Sequence, residues 1–137
     1  MDMAYELIWE HRGVVKRHFG TLTANELLTA TQQVISCEHF TDLSYIVNDF
    51  TDAEPCDISH DTIEQIAALR IGATFVNHRI LSPYVATSSP GLTIAHALMQ
   101  PAYCNKHLTR LFPNLTVARE WLAEQLKSPF RLIGQKD

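Results

Sequence analysis

Leu43-Ser44-Tyr45-Ile46-Val47-Asn48-Asp49-Phe50 is the stretch whose reading decides the fold. Its Tyr, Ile, Val and Phe residues favour extended backbone. A run of this kind suits a central strand buried on both faces, with helices covering each side.

N-terminal to it, Tyr5, Leu7 and Trp9 alternate with Glu6 and Glu10, so this segment reads as a strand with one buried face. His11-Arg12-Gly13 reads as a turn, with Gly13 available for positive φ, and Val14 to Phe19 as the second arm of a hairpin ended by Gly20. Thr23-Ala24-Asn25-Glu26 forms a capping box in which Thr23 accepts from the Glu26 amide and Glu26 reaches back to the Thr23 amide. The helix it opens runs to about Cys37, with Leu27, Leu28, Thr31, Val34 and Ile35 as its inward stripe.

C-terminal to the decisive stretch comes a polar loop, Asp52 to Ile58, and Ser59 then stands as an N-cap with Asp61 in the first helical turn. The predicted helix carries Ile63, Ile66, Leu69, Ala73 and Val76 on one side, with Gly72 weakening its end. Ile80 to Thr87 is strand-like, but Pro83 has no N–H for a ladder, so the reading needs a bulge or an edge there. Ser88-Ser89-Pro90-Gly91 leads into a helix from about Leu92 to Met99, and Pro101 should kink or end it. Thr109 to Phe112 is a short strand candidate. Asn114 then caps a helix bearing Leu115, Ala118, Trp121, Leu122 and Leu126 at helical spacing. The order β-β-α-β-α-β-α-β-α predicts a single α/β domain over 1–127, a mixed sheet of about five strands with four helices, and a tail over 128–137.

The 137 residues carry 11 Lys plus Arg against 15 Asp plus Glu, a formal net charge of −4, which argues against a nucleic-acid partner held through its phosphates. The charge is unevenly placed. Residues 42–69 hold seven acids (Asp42, Asp49, Asp52, Glu54, Asp57, Asp61, Glu64) and no Lys or Arg. Such a stretch can be a partner-facing patch, but acids that cap a helix or solvate a turn are the favoured reading, since the helix dipole alone places acids in a first turn.

Chemistry finds little support. The seven histidines (His11, His18, His39, His60, His78, His96, His107) form no ligand pattern, and Cys56 before His60 lies ahead of the presumed cap, so no metal is expected. Cys37, Cys56 and Cys104 are few and unpaired, as in reduced cytoplasmic proteins. Cys56 near a helix start has no orienting partner or oxyanion hole, so neither an enzyme nor a cofactor is expected. Ser88, Ser89 and Gly91 open a helix whose amides suit an anion, without a Walker or Rossmann glycine pattern. The aromatic residues, Phe75 included, fall mostly on inward faces. No apolar run is long enough to span a membrane.

These residues resemble the STAS domain, the fold of bacterial anti-sigma-factor antagonists, in its SpoIIAA-like branch. The likeness rests on Phe19-Gly20-Thr21-Leu22-Thr23 before the first helix, Ile46-Val47-Asn48-Asp49-Phe50 as a core strand ending in an acid, and Phe112-Pro113-Asn114 followed by Ala118-Arg119-Glu120-Trp121-Leu122. It covers about residues 3–127. It implies a cytoplasmic, non-enzymatic regulatory domain that docks a protein partner, here through Asp52, Glu54, Asp57, Ser59, Asp61 and Glu64. Ser59 is the nearest counterpart of the family's phosphorylated residue, although the usual Asp-Ser-Ser or Asp-Ser-Thr signature is missing. The branch also resembles the Sec14 fold, which implies as an alternative a small apolar ligand or lipid in a pocket lined by Phe75, Tyr84 and Met99. Self-association through the first strand or a helix face is a further expectation.

Overall fold

The computed structural model describes residues 4–54 and 58–127. Cys56, Asp57 and the tail 128–137 lie outside the described residues. Strands β1 (Tyr5–Glu10) and β2 (Gly13–Thr21) form the hairpin. They are followed by α1 (Ala24–Ile35), β3 (Tyr45–Glu54), α2 (His60–Ala73), β4 (Tyr84–Val85), α3 (Gly91–Leu98), β5 (Leu111–Phe112) and α4 (Leu115–Lys127). The sheet order is β1-β2-β3-β4-β5, antiparallel at the hairpin and parallel beyond it, so β3 is the middle strand as expected.

Alternation along the strands sorts side chains onto two faces. One face is covered by α1, α2 and α3, where Leu27, Ile63, Ile66, Ile94 and Leu98 close over Phe50, Tyr84 and Ala86. Val14, Val34, Phe40, Leu43 and Ala73 extend that packing toward the start of the sheet. The other face is covered by α4, whose Ala118 and Leu122 meet Val15, Val47, Leu81, Val85 and Phe112. Caps set the helix starts. The Glu26 amide donates to Thr23 Oγ1 at 3.1 Å, the Thr62 amide to Ser59 Oγ at 3.2 Å, and the Val117 amide to Asn114 Oδ1 at 2.9 Å. Only half of the predicted capping box forms. The Glu26 carboxylate accepts instead from the Thr23 hydroxyl at 3.0 Å and the Ala4 amide at 2.7 Å.

Several expectations need correction. The turn residue with positive φ is Arg12, at 60°, while Gly13 begins β2 beneath the Tyr45 ring. Gly20, at φ 69°, lies inside β2 rather than ending it, next to a register shift between Arg17 and Phe19. Trp9 shares a face with Tyr5 but is 47% exposed, because the edge strand runs past the helices there. Helix α2 stops at Ala73. The Phe75 and Val76 amides turn back to Gly72 and Ala73, so these two side chains point outward, 88% and 62% exposed. Asn77 takes the buried place instead, donating to the Phe40 and Leu43 carbonyls at 2.9 Å each.

Pro83 produces neither bulge nor edge, but the strand expected over Ile80 to Thr87 is cut back to Tyr84–Val85, with a single isolated bridge of Leu81 to Tyr45 ahead of the proline. The Ser82 and Tyr84 amides donate toward β5, to Leu108 and Arg110, and the Pro83 carbonyl accepts from Asn48 in β3. The missing donor is the one that would have met the Ile46 carbonyl, and the Asn48 side-chain amide lies within 3.5 Å of that oxygen. The Asn48 amide, which also donates to Ser82 Oγ at 2.9 Å and the Pro83 carbonyl at 3.2 Å, thus approaches the carbonyl that the proline leaves without a ladder donor.

Candidate functional site

The acidic segment does not form one surface. Asp42 belongs to a single 3-10 turn, Phe40–Asp42, before the N-terminal end of β3. Asp49 is buried and accepts from the Thr51 amide at 3.0 Å and hydroxyl at 2.5 Å. At the other end of β3, Asp52 and Glu54 are exposed, as are Ser59, Asp61 and Glu64 at the start of α2. Arg17 joins two strands by bonding Asp52 at 2.6 Å and Glu6 at 3.0 Å. His60 stands 3.6 Å from Glu64, one turn apart on the helix. Asp61, in the first turn of α2, is placed well for the helix dipole. Asp52 and Glu54 thus stand at the end of β3 and Ser59, Asp61 and Glu64 at the start of α2, and Asp57 falls outside the described residues.

The Ser59 hydroxyl is exposed yet occupied. It caps α2 and lies 3.0 Å from the Thr62 hydroxyl. Ser59→Ala is expected to cost about 1 kcal/mol, the ordinary value of a lost N-cap, read as a lower urea midpoint at unchanged slope. Ser88 and Ser89 are exposed and Gly91 is buried, where a Cβ would come within 2.7 Å of Phe50 Cβ. Ser89 Oγ pairs with Thr93 Oγ1 at 3.2 Å, so that hydroxyl is engaged by the first turn of α3.

A second constellation lies on the three-helix face of the sheet. An aromatic row crosses four strands there. Tyr5 leads to His18, His18 stacks on Phe50 at 4.7 Å, and Phe50 stacks on Tyr84 at 6.5 Å. Beside it runs a polar row of Lys16, Asn48 and Ser82, with Asn48 Nδ2 donating to Ser82 Oγ at 2.9 Å. Arg70 reaches from α2 to donate to the Ser82 and Tyr84 hydroxyls, and its guanidinium lies 5.4 Å from the centre of the Tyr84 ring. Burial depresses the Lys16 ammonium to about 7, and the nearby Arg70 charge adds to the effect. Burial, reinforced by Lys16, lowers His18 to about 3, so that imidazole is neutral in the folded protein.

The polar row floors a cavity of about 510 Å³ between the sheet, α1, α2 and the segment 101–109. None of Phe75, Tyr84 and Met99, the trio expected to line a pocket, borders it. Lys16 and Arg70 had not been marked as functional. The signal was present, since Lys16 is in phase with Val14 and His18, and Asn48 with Ile46 and Phe50, on strands with an inward face. Among the described residues no group of three metal-ligating side chains gathers. Nor is any helix long and apolar enough to cross a membrane.

The structure is a mixed five-stranded sheet with three helices on one face and one on the other. Among solved structures the chain is similar to the anti-sigma factor antagonist SpoIIAA in its unphosphorylated form, with a TM-score of 0.60 and 12% identity over 88% of this chain and 97% of that one. The fold is SpoIIAA-like. No family model and no curated protein matches the sequence.

Proposed function

We propose that the chain is a non-enzymatic, cytoplasmic regulatory domain of STAS type that binds a protein partner through the acidic corner of Asp52, Glu54, Asp57, Ser59, Asp61 and Glu64. The observation that carries this reading is the corner's composition. Exposed carboxylates gather where the middle strand ends and α2 begins, and among the described residues only Arg17 on Asp52 and His60 on Glu64 pair with them. A basic partner surface is the complement, giving association that is fast at low salt and weakens as salt rises. A phosphate on Ser59 would deepen the negative potential and gain from the helix N-terminus, against repulsion from Asp61.

Charge reversal tests the proposal. The wild type and a Glu54→Lys, Asp61→Lys, Glu64→Lys variant serve as baits for crosslinking in cell extract, with circular dichroism confirming that both fold. The variant is expected to lose at least about tenfold of the specific, salt-sensitive partner. Equal recovery by the two baits would show that this corner is not the docking surface. The alternative of a small bound ligand draws support from the cavity, which is separate from the corner.

A further inference from the structure

Two cations share the cavity floor without an anion. Lys16 is 7% exposed and lines the cavity, yet its ammonium has no hydrogen-bond or ion-pair partner among the described residues. Arg70 is fixed by the Ser82 and Tyr84 hydroxyls and has no carboxylate partner among the described residues. Among the described residues no Asp or Glu lines the space. The Ser82 hydroxyl already accepts from Arg70 and Asn48, so its own proton remains to donate. Above this floor the walls are mainly apolar, from Val34, Ile35, Ile46, Ile71, Ile80 and Leu108, with Thr31, Thr74, Asn77, His78 and Asn105 between them. A buried, uncompensated pair of like charges is costly. An anion placed between them removes that cost, and apolar walls bind whatever body the anion carries.

We infer that this cavity is a binding site for a small organic anion with an apolar body, its head seated on Lys16, Arg70 and Ser82. The volume lies within the range of small-molecule sites. At about 30 Å³ per water-sized unit it holds on the order of fifteen heavy atoms, the size of a medium-chain carboxylate. A carboxylate and a phosphate monoester share the required chemistry. The site stands on the cavity and not on the acidic corner, so the two readings fail separately.

Calorimetric titration of the full chain with decanoate, decyl phosphate and 1-decanol near pH 6.5 is the test. Decanoate or decyl phosphate is expected to bind at least about tenfold more tightly than the alcohol, and the tighter of the two identifies the head group. Lys16→Met is expected to remove at least about tenfold of the anion's affinity while leaving that of the alcohol in place. Arg70→Gln should act in the same direction and serves as the second variant if the first does not fold. Anions that bind no better than the alcohol, or that bind the folded variants as well as the wild type, would overturn the assignment, as would failure of both anions to bind at millimolar concentration.

Discussion

Lys16→Met raises the melting temperature, and raises it most at and below pH 7. The reason is the position of Lys16, on the second strand of a covered sheet face with Arg70 as its charged neighbour. In the unfolded chain its pKa is near 10.4, whereas in the fold it is held at about 7. The unfolded state therefore binds the proton more tightly between those values, and stability rises with pH across that window. Below about pH 7 the group is charged in both states and the whole cost of the buried charge is felt. Methionine keeps the length and apolar stem of the side chain and removes the charge. A difference of this size converts to at most about 5 kcal/mol. Relaxation of the side chain in the folded state keeps the gain below that bound, so about 3 kcal/mol at pH 6 is expected, a rise on the order of 10 °C.

Scanning calorimetry at pH 6, 7.5 and 9 reads the effect, which should shrink as pH rises. Among the described residues the other titratable groups on this face include Tyr5 in β1, His18 in β2, Cys37 after α1, Arg70 in α2, His78 after α2, Tyr84 in β4, and Tyr103 and Cys104 before β5. None is an acid that would offset Lys16, and His18 is already neutral across the range. A variant that melts at the same temperature or lower at pH 6 would show that the ammonium is solvated and that the cavity floor is not strained by charge. Retention of a lysine whose replacement by methionine stabilises the fold is what a functional site predicts.

Leu43–Phe50 was legible because central strands are selected by apolar, β-branched and aromatic content, and that content is local. Caps are local as well, which is why Thr23, Ser59 and Asn114 stand where the sequence places them. Where the reading failed, the deciding partner is remote in sequence. Helical spacing continues through Val76, but Asn77 anchors the chain on Phe40 and Leu43 and turns Phe75 and Val76 out. Pro83 argues against an inner strand until Asn48 is found supplying an amide beside the orphaned carbonyl. The acids from Asp42 to Glu64 look continuous in sequence, yet the strand carries Asp42 and Glu54 to opposite ends and buries Asp49 between them. The cavity was hardest to foresee, since Lys16 and Arg70 become neighbours only when β2 and α2 pack on one another.

Gly13→Ala is expected to be among the most damaging single-methyl additions in the chain. Gly13 opens β2 and pairs with Tyr45 at the start of β3, and an added Cβ would lie 2.1 Å from Tyr45 Cζ and 2.4 Å from its Cε2. The ring cannot move freely. Its hydroxyl donates to Glu10 Oε1 at 2.5 Å, and both Glu10 oxygens are held by Arg119 from α4, at 3.0 and 2.6 Å. That linkage keeps the Glu10 carboxylate below its usual range through the Arg119 bonds, and burial with the Glu10 bond raises the Tyr45 phenol to about 12. Making room for the methyl means swinging the ring off β2 and breaking the hydrogen bond that ties β3 to Glu10 of the hairpin. Overpacking costs about 1–3 kcal/mol and the lost hydrogen bond to a charged group about 1.5–3 more. A loss of about 3 kcal/mol is therefore expected in urea unfolding at unchanged slope. Tyr45→Val should itself destabilise, but Gly13→Ala added to it should cost less than about 1 kcal/mol, because the obstructing ring is gone. Equal costs of Gly13→Ala in the presence and absence of the ring would show that the two residues do not meet as described.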